Sequence, residues 1–583
     1  MRQLYYSLSL FLLIVGISVQ KARAQKDTTK LNQSVEVMKA YHPSISNANK
    51  VNLMPVVEDT TRLSPEFVYS IDSKPINSGF TASAIKPADV NRQKSKDLGI
   101  GYLKLGVGTS QSVFGEFFIN LPESRTATFG LHLRHLSSDG TIKLFKGDLV
   151  DAPYSQNSGA IFGSVNIGST ILTTDLSYDR DAVRYYGYPA SIPAKIDTVP
   201  YIKYGLKQAY EKGDFKVALK SNDGMQGNFT FNSGLRLGFF DSKTGQKENS
   251  GGVFGKFDYN FGQLHGILDL SYDHFTTDSI TLENLVPGNK SSDWLRLDPS
   301  VKLAGDNWSF RGGVNFVAVS DKTGGNANKL YPDLEFNFIP AAGILTLYAS
   351  AKGDLKNNRY GDIALENLWA DPRHNIRNTD YNYIVSGGLK GKISREISYN
   401  LGVKYSQVKD LHFYVQNSYY KANLSVPIYD NQFGVVYDNG HVTDFSAEFS
   451  YISGRDLSII LKGNYYNYKL DALPFAPQKP NFDLSASLGL RIIDNLTGFA
   501  DLGVLGMRQA IVYNINPFAS PVSRDEVFQI DPSIQLNLGA TYEMTKNFKI
   551  FGRVDNLLNR PNEQWLGYAS QGFRVIGGVS VSF

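Results

Sequence analysis

One connection of this chain concentrates side chains that could bind an anionic ligand. Residues 369–377 read Trp-Ala-Asp-Pro-Arg-His-Asn-Ile-Arg, so a carboxylate, an imidazole and two guanidinium groups follow a bulky apolar ring. Guanidinium forks suit carboxylates and phosphates, such as those of sugar acids and lipid head groups. The candidate ligand contacts are Trp369, Asp371, Arg373, His374 and Arg377. Two other interpretations remain open, a solvated or loop-ordering cluster and a catalytic one.

The chain lacks the motifs of common enzymes. It contains no H-E-x-x-H, P-loop, G-x-S-x-G or EF-hand loop, and its eight His residues lack the spacing of metal ligands. The absence of Cys excludes thiolate metal sites and a disulfide framework. The stretch Tyr185-Tyr186-Gly187-Tyr188 could stack on a sugar, but packing within a loop is the better interpretation. We therefore expect no enzyme, no cofactor and no metal site.

The end of the chain predicts the kind of element that must position these side chains. Every second residue of the last strand is apolar or glycine, at Phe573, Val575, Gly577, Val579, Val581 and Phe583. The residues between them are small or polar, apart from Ile576. At about 3.3 Å per residue and a tilt of about 40°, such a strand spans about 25 Å of membrane. The pattern therefore favours a transmembrane β-strand over a surface strand of a soluble sandwich.

The same alternation recurs across residues 99–583, in segments of about ten residues, the length of a tilted membrane-spanning strand. Tight connections, such as 261–263 and 494–495, alternate with long ones, such as 137–157 and 355–380. Outer-membrane barrels have short periplasmic turns and long external loops. We therefore predict an all-β fold, a transmembrane antiparallel up-and-down β-barrel of about 22 strands.

The strand count has one weak region, residues 411–452. The segments 413–415 and 433–437 could form an additional pair of strands, which would raise the total to about 24. Alternatively, Asp438-Asn439-Gly440 could be a bulge within one long strand. We adopt the smaller number.

The first 98 residues differ from the rest. Residues 1–24 combine a short basic start, an apolar run and an A-x-A site, which predicts a cleaved secretory signal peptide. Residues 25–98 hold five scattered prolines and many polar residues, which predicts an extended periplasmic or lumenal segment rather than a packed domain. Lys and Arg total 59 and Asp and Glu total 55, a balance that gives no reason to expect a nucleic-acid partner.

The C-terminal part resembles TonB-dependent outer-membrane receptors. Residues 551–559 read Phe-Gly-Arg-Val-Asp-Asn-Leu-Leu-Asn and are followed by Gly567-Tyr568, Gly572-Phe-Arg574 and the final Phe583. In that family a V-x-N-L-(L/F)-(N/D) strand end precedes an external loop and a last strand that closes on Phe. Only 73 residues run from Gln25 to Asp97, fewer than the plug domain of such receptors. The chain is thus similar to the plugless, receptor-like barrels of Bacteroidota.

The resemblance implies an outer-membrane barrel of a Gram-negative bacterium that acts in solute transport or reception. It further implies that barrel-assembly machinery recognises the last strand, through Phe573, Val575, Val579, Val581 and Phe583. A stretch around Val35 and Val37 is similar to a TonB box and could contact a periplasmic partner. An ordinary short β segment is the other interpretation of that stretch.

A barrel of this width needs something in its lumen, because transporters of this size have occupied lumens. Residues 25–97 folded inward, inward-folded loops and another protein are the three alternatives. A second function therefore stays open, a non-enzymatic structural subunit of an outer-membrane assembly, secretion or surface-lipoprotein complex. The expected partners are outer-membrane lipid, the barrel-assembly machinery during biogenesis, and a lumen-filling, periplasmic or surface protein.

Overall fold

The structure, a computed structural model, describes most of residues 100–583. The described ranges are 100–121, 126–144, 149–187, 207–222, 228–278, 290–321, 325–372, 376–420, 427–429, 431–515 and 525–583. The predicted signal peptide 1–24 and the predicted segment 25–98, with Val35 and Val37, lie outside the described residues. Within the described ranges, no helix is long and apolar enough to cross a membrane.

Twenty-two antiparallel strands form one closed barrel. These barrel strands are β1 (Gly101–Gly108), β2 (Ser112–Leu121), β3 (Ala127–Ser138), β6 (Tyr154–Ile167), β7 (Thr170–Arg184), β8 (Lys207–Ser221), β9 (Phe229–Ser242), β10 (Lys247–Asn260), β11 (Leu264–Asp278), β12 (Lys290–Ala304), β13 (Trp308–Asp321), β14 (Gly325–Ala341), β15 (Leu345–Lys356), β16 (Thr379–Lys392), β17 (Ile397–Tyr420), β19 (Gly434–Ser453), β20 (Leu457–Leu470), β21 (Phe482–Ile493), β22 (Leu496–Leu505), β25 (Ser533–Glu543), β26 (Phe548–Asp555) and β29 (Arg574–Ser582). The predicted fold class and number of strands are confirmed.

The remaining described elements lie in connections between barrel strands. They are β4 (Thr141–Lys143), β5 (Leu149–Asp151), helix α1 (Tyr360–Glu366), β18 (Pro427–Tyr429), β23 (Arg508–Ile515), β24 (Glu526–Ile530), β27 (Glu563–Trp565) and β28 (Tyr568–Ala569). Each of them follows one of five barrel strands that run in the same direction, β3, β15, β17, β22 and β26. The long connections are therefore on one side of the barrel, as predicted.

The barrel closes where its first strand pairs with its last. The register between β1 and β29 runs from Tyr102↔Ser582 to Gly108↔Ile576. Beyond this ladder, Gly101 and Phe583 exchange two backbone hydrogen bonds of 3.1 and 3.0 Å. The seam thus leaves no open edge, which is the condition for a β-sheet to exist in lipid.

The last strand shows how side-chain alternation builds the wall. Val579 and Val581 are exposed on the outer face, whereas Ser580 between them is buried. Ile576, the exception in the sequence pattern, is buried in a small cluster with Phe551 on the other face. A period of two therefore directs apolar residues toward lipid and polar residues toward the lumen.

The five residues of the predicted assembly signal follow this pattern. Four of them are exposed and Val575 is half-buried; the exposed four are Phe573, Val579, Val581 and Phe583. The ring of Phe583 also stacks on Phe117 of β2, with 6.3 Å between ring centroids. Recognition of this strand by assembly machinery stays a prediction.

The inner face carries charges that neutralise one another. Arg311 lies 2.9 Å from Asp333, and Lys352 approaches the same carboxylate at 3.2 Å. On another part of the wall, Lys404 lies 2.5 Å from Asp444. The inner face is therefore hydrophilic but internally paired, as a water-facing wall requires.

Two strands extend far beyond the membrane. β17 has 24 residues and β19 has 20, about twice the ten or so that a tilted span needs. Their register shifts between Val408 and Leu411, and Asp410 adopts a φ of 52° opposite the Asp438–Gly440 stretch. The weak region of the sequence is thus one long hairpin with a bulge, and the alternative with two additional strands is wrong.

The seam yields a testable prediction about closure. A Cβ atom added at Gly578 would clash with the carbonyl oxygen of Leu105 and lie 2.6 Å from the Cα of Gly106. Gly578→Val should therefore prevent β1 from pairing with β29, since backbone atoms cannot move without breaking the ladder. The measurement is the fraction of protein that migrates as a compact, heat-modifiable barrel on an SDS gel.

The matched control for this variant is Gly552→Val in β26. A Cβ at Gly552 has nothing within 4 Å, and valine suits a strand. The control should form the barrel at wild-type yield. Equal yields of the Gly578→Val and Gly552→Val barrels would contradict the closure argument.

Candidate functional site

The long connections of the barrel pack together over one mouth. Residues from the connections after β3, β7, β15, β17, β22 and β26 share one hydrophobic cluster with the outer ends of neighbouring strands. We call this cluster the loop cap. Its buried members are Ile142, Leu144, Val150, Ala152, Tyr185, Tyr186, Tyr210, Phe240, Tyr360, Ile363, Ala364, Leu368, Trp369, Ala370, Tyr414, Phe433, Val435, Ala510, Val512, Ile530, Trp565, Leu566, Tyr568 and Ala569.

Aromatic rings form the centre of the loop cap. Trp369 stacks on Tyr568, with ring centroids 4.0 Å apart, and the edge of Tyr186 meets both rings. The indole Nε1 of Trp369 donates a 2.9 Å hydrogen bond to the carbonyl of Arg184. The hydroxyl of Tyr186 donates one of 2.8 Å to the carbonyl of Ala569. Each aromatic pair contributes about 1 kcal/mol beyond its buried area, so three distant connections are held together here.

Helix α1 places Trp369 at this position. Its apolar residues Ile363 and Ala364 are buried in the cap. At its start, the backbone N–H groups of Tyr360 and Gly361 donate to the carboxylate of Glu248 on β10, at 2.8 and 3.0 Å. Glu248 thus satisfies two of the N–H groups that a helix leaves unpaired and complements its dipole.

A buried ion network lies beneath the helix. The carboxylate of Glu366, the last residue of α1, accepts a hydrogen bond from His412 Nε2 at 2.8 Å and one from Lys479 Nζ at 2.5 Å. Burial alone would raise the pKa of Glu366, but the charge of Lys479 and the bonds from both partners hold it well below its usual range. The network links the β15–β16 connection to β17 and to the β20–β21 connection.

A second buried charge fixes the far side of the loop cap. Arg508, at the start of β23, donates to the carbonyl of Gln564 at 2.5 Å and to the hydroxyl of Ser533 at 3.2 Å, and it also bonds the carbonyl of Glu563. Burial lowers the pKa of Arg508 to about 10. Carbonyl oxygens thus solvate a guanidinium that has left water, and they join the β22–β25 and β26–β29 connections.

The structure separates the predicted ligand contacts. Trp369 and Asp371 are 4% and 7% exposed and lie within the cap, where the backbone N–H of Asp371 bonds the carbonyl of Phe433 at 2.8 Å. Arg377 is exposed and pairs with Asp410 at 3.1 Å. Arg373 and His374 lie outside the described residues. Contact of these residues with a ligand stays a prediction, and Trp369 is accessible to one only when the cap opens.

The interpretation of Tyr185 and Tyr186 as loop-packing residues agrees with their burial in the cap, whereas Tyr188 lies outside the described residues. Sequence reasoning missed the short helix, although Tyr360, Ile363 and Ala364 have the helical spacing i, i+3, i+4. No local signal could have found the ion network, because Glu366, His412 and Lys479 come from two connections and strand β17, far apart in the sequence.

The loop cap is built from aromatic packing and buried charges. In the part of the chain that the structure describes, no group of three or more His, Asp or Glu side chains could hold a metal ion. The buried charges already bond one another or backbone carbonyls. What this arrangement can do is hold several connections in one closed position.

Together, these features define a class of protein, a closed antiparallel barrel of the outer-membrane type with the strand number of a transporter. No protein-family model matches the chain, and no curated protein sequence matches it. Solved structures, in contrast, share its fold over most of its length.

Three of these structures are receptors or transporters. The ferripyoverdine receptor of the outer membrane of Pseudomonas aeruginosa matches with a TM-score of 0.61 and 12% identity, over 84% of this chain and 73% of that chain. The siderophore receptor PirA from Acinetobacter baumannii matches with a TM-score of 0.62 and 10% identity, over 84% of this chain and 81% of that chain. The FrpB iron transporter from Neisseria meningitidis matches with a TM-score of 0.61 and 12% identity, over 84% of this chain and 81% of that chain. The chain therefore has the receptor barrel fold that its sequence predicted, and these matched proteins are not enzymes.

The ion network yields a prediction with a defined pH dependence. Glu366→Gln should destabilise the loop cap by about 3 kcal/mol at pH 7, because it leaves Lys479 buried without its counter-ion. The pKa of Glu366 lies below the unfolded value of about 4.3. The contribution of ionised Glu366 to the stability of the loop cap is therefore complete above about pH 5, and it is lost as the pH falls through the folded pKa of Glu366. Hydrogen exchange of the amides of residues 360–371 in the wild type and in Glu366→Gln, compared at pH 7 and again as the pH is lowered to about 2.5, measures it.

The control for this experiment is Glu543→Gln, which breaks an ion pair with Lys549 at the opposite end of the barrel. The control should leave exchange in the cap unchanged. Wild-type protection of residues 360–371 in Glu366→Gln at pH 7 would show that the network does not hold the cap.

Proposed function

We propose that this protein is an outer-membrane receptor or transporter that captures or passes a solute, with the loop cap as its external gate. The observation that carries this proposal is the closed barrel of 22 strands whose long connections pack into one apolar core. A barrel of this width suits a bulky solute rather than a simple ion. A core built from several connections can open and close as a unit.

The first solute class to test is a ferric chelate. The three matched structures are a ferripyoverdine receptor, a siderophore receptor and an iron transporter. The inner wall offers paired charges such as Arg311 with Asp333, which can exchange partners with a charged chelate. The residues proposed to contact it once the cap opens are Trp369, Asp371, Arg373, His374 and Arg377.

We further propose how the whole chain is arranged. Residues 1–24 direct export and are removed, residues 99–583 form the barrel in the outer membrane, and residues 25–98 enter the lumen or contact a periplasmic partner through Val35 and Val37. This arrangement is that of a plugless receptor of the Bacteroidota type. Barrel-assembly machinery inserts it by recognising the strand that ends at Phe583.

The second interpretation, a structural subunit of an envelope complex, has no specific observation in its favour. A pull-down in mild detergent through a tag in the β20–β21 connection distinguishes the two functions. A large partner in fixed ratio would support a subunit. A barrel that elutes alone agrees with transport.

A reversible lock tests the gate. Gln416 of β17 and Val512 of β23 are direct neighbours across a parallel pair of strands, a distance that a disulfide can bridge. The chain has no Cys, so Gln416→Cys with Val512→Cys introduces one cross-link between two parts of the cap. Oxidised cells should take up an iron-55 chelate at less than about a tenth of the wild-type rate, and a reductant should restore uptake.

The two single-cysteine variants are the controls, and oxidation should not change their uptake. Wild-type uptake in the oxidised double variant would show that the cap does not gate. Equal uptake by wild-type and gene-deleted cells would show that a ferric chelate is not the solute.

The same lock isolates the role of the N-terminal segment. Deletion of residues 25–90 should raise single-channel conductance in planar bilayers, if this segment occupies the lumen. In the locked double-cysteine background the increase should appear only after reduction, because the cap closes the other mouth. Unchanged conductance after reduction would show that residues 25–90 do not occlude the pore.

A further inference from the structure

The lipid-facing wall has a groove that the proposed function does not use. It has a volume of about 580 Å³ and lies across β16, β17, β19, β20 and β21. Its cause is a row of paired residues, Leu401↔Ala447↔Gly463↔Leu484, in which two small side chains stand between two leucines. The leucines are 45% and 49% exposed, so the groove opens toward the membrane. We call it the wall groove.

Aromatic residues border the wall groove on the side of the loop cap. In the next row along the strands, Val403 pairs with Phe445 and Phe445 pairs with Tyr465. Both rings are 50% exposed and their centroids lie 6.3 Å apart. An apolar floor with aromatic sides fits a hydrocarbon chain.

A lysine and an imidazole lie above these rings on the same outer face. His441 pairs with Lys469 across β19 and β20, and both follow the alternation of the exposed residues below them. The ring of His441 stacks on Tyr405 at 5.4 Å. Lys409, next to the bulge of β17, is also exposed. Six residues separate Gly463 from Lys469, which is about 20 Å along the strand and about 15 Å along the membrane normal.

Three ion pairs lie on the outer face at a similar level elsewhere on the barrel. Arg180 pairs with Glu211, Lys247 with Asp241 and His274 with Asp293, at 3.2, 3.4 and 2.8 Å. These residues lie near the outer ends of β7 to β12. The sector above the wall groove differs in that its two exposed lysines, Lys409 and Lys469, lie above a groove.

The acidic side chains near this sector offset only part of its charge. Asp410 already pairs with Arg377, so Asp471 is the nearby exposed carboxylate that faces the two lysines. Lys409 and Lys469 therefore leave a net positive charge that is complementary to a phosphate, to which the imidazole of His441 can donate a hydrogen bond.

We propose that this face binds one lipid with an anionic phosphate head group. The phosphate contacts Lys409, His441 and Lys469, and an acyl chain lies in the wall groove beside Ala447 and Gly463. Each half of the site matches one half of an amphiphile. A zwitterionic lipid matches only the groove, and inorganic phosphate matches only the cations.

Native mass spectrometry of the full-length protein released from detergent tests this proposal. The probes are phosphatidylglycerol and, as zwitterionic reference, phosphatidylcholine. The wild type should retain one phosphatidylglycerol with an apparent affinity at least about tenfold higher than that for phosphatidylcholine. The double variant Lys409→Gln with Lys469→Gln should lose the preference for phosphatidylglycerol. The variant Ala447→Phe should bind both lipids more weakly, because the larger side chain fills the groove.

The matched controls are Lys247→Gln, an outer-face lysine near the same level, and Ala318→Phe on β13, away from the groove. Both should bind like the wild type. All substituted residues lie outside the cores, and heat-modifiable migration confirms that each variant folds. Unchanged preference for phosphatidylglycerol in the double lysine variant would overturn the proposal. A second outcome would also overturn the proposal: millimolar inorganic phosphate displaces the lipid, and Ala447→Phe has no effect on lipid binding. That result would indicate an anion site without a site for the lipid chain.

Discussion

The pairing of backbone N–H and C=O groups in an environment without water is the constraint on which this structure depends. A strand that crosses lipid must satisfy these groups on both sides, so a sheet can exist there only when its first strand meets its last. In this chain the closure is made by β1 and β29 and ends in the two hydrogen bonds between Gly101 and Phe583. This closure requires glycine at position 578, because any larger residue would push β1 and β29 apart. The outward and inward faces follow from this closure, since each wall residue then faces either lipid or the lumen.

Closure creates a second problem, because a barrel of 22 strands encloses a wide lumen. At one mouth of the barrel, the loop cap packs over this lumen. The long strands β17 and β19 carry their ends well beyond the membrane, where Tyr414 and Phe433 join Trp369 and Tyr568. The wall is stabilised by the regular hydrogen-bond ladder between strands. The cap is stabilised instead by buried aromatic rings and by the Glu366 network. Such side-chain contacts are not part of the barrel hydrogen-bond ladder, so opening them leaves the pairing of the barrel strands intact, which is the property that the proposed gate uses.

The three surfaces of the molecule thus serve three environments. The inner wall is hydrophilic and pairs charges such as those of Arg311 and Asp333. The cap excludes water from aromatic side chains. The outer wall is apolar, and ion pairs such as Arg180 with Glu211 occur near its rim. The wall groove beneath Lys409 and Lys469 departs from this pattern on one sector, where a lipid with a matching charge distribution would be bound more tightly than its neighbours.

The sequence by itself determined the barrel, because a period of two along a strand and an alternation of tight and long connections are local patterns. The strand number, the side of the long connections and the outward face of the last strand could all be predicted from such patterns. One of the two sequence interpretations expected a bulge at Asp438–Gly440, whereas the extra residue lies opposite this stretch, on β17 next to Asp410. The candidate site could be read only in part. The sequence marked Trp369 and Asp371 as unusual, but it did not show that they are buried while Arg377 is exposed. Only the tertiary structure decided this, and it also decided that Glu366, His412 and Lys479 meet, and that Ala447 and Gly463 form a groove. The physical reason is that these contacts join residues from separate strands and connections, whose distance in space is set by the closed barrel and by no local preference of the chain.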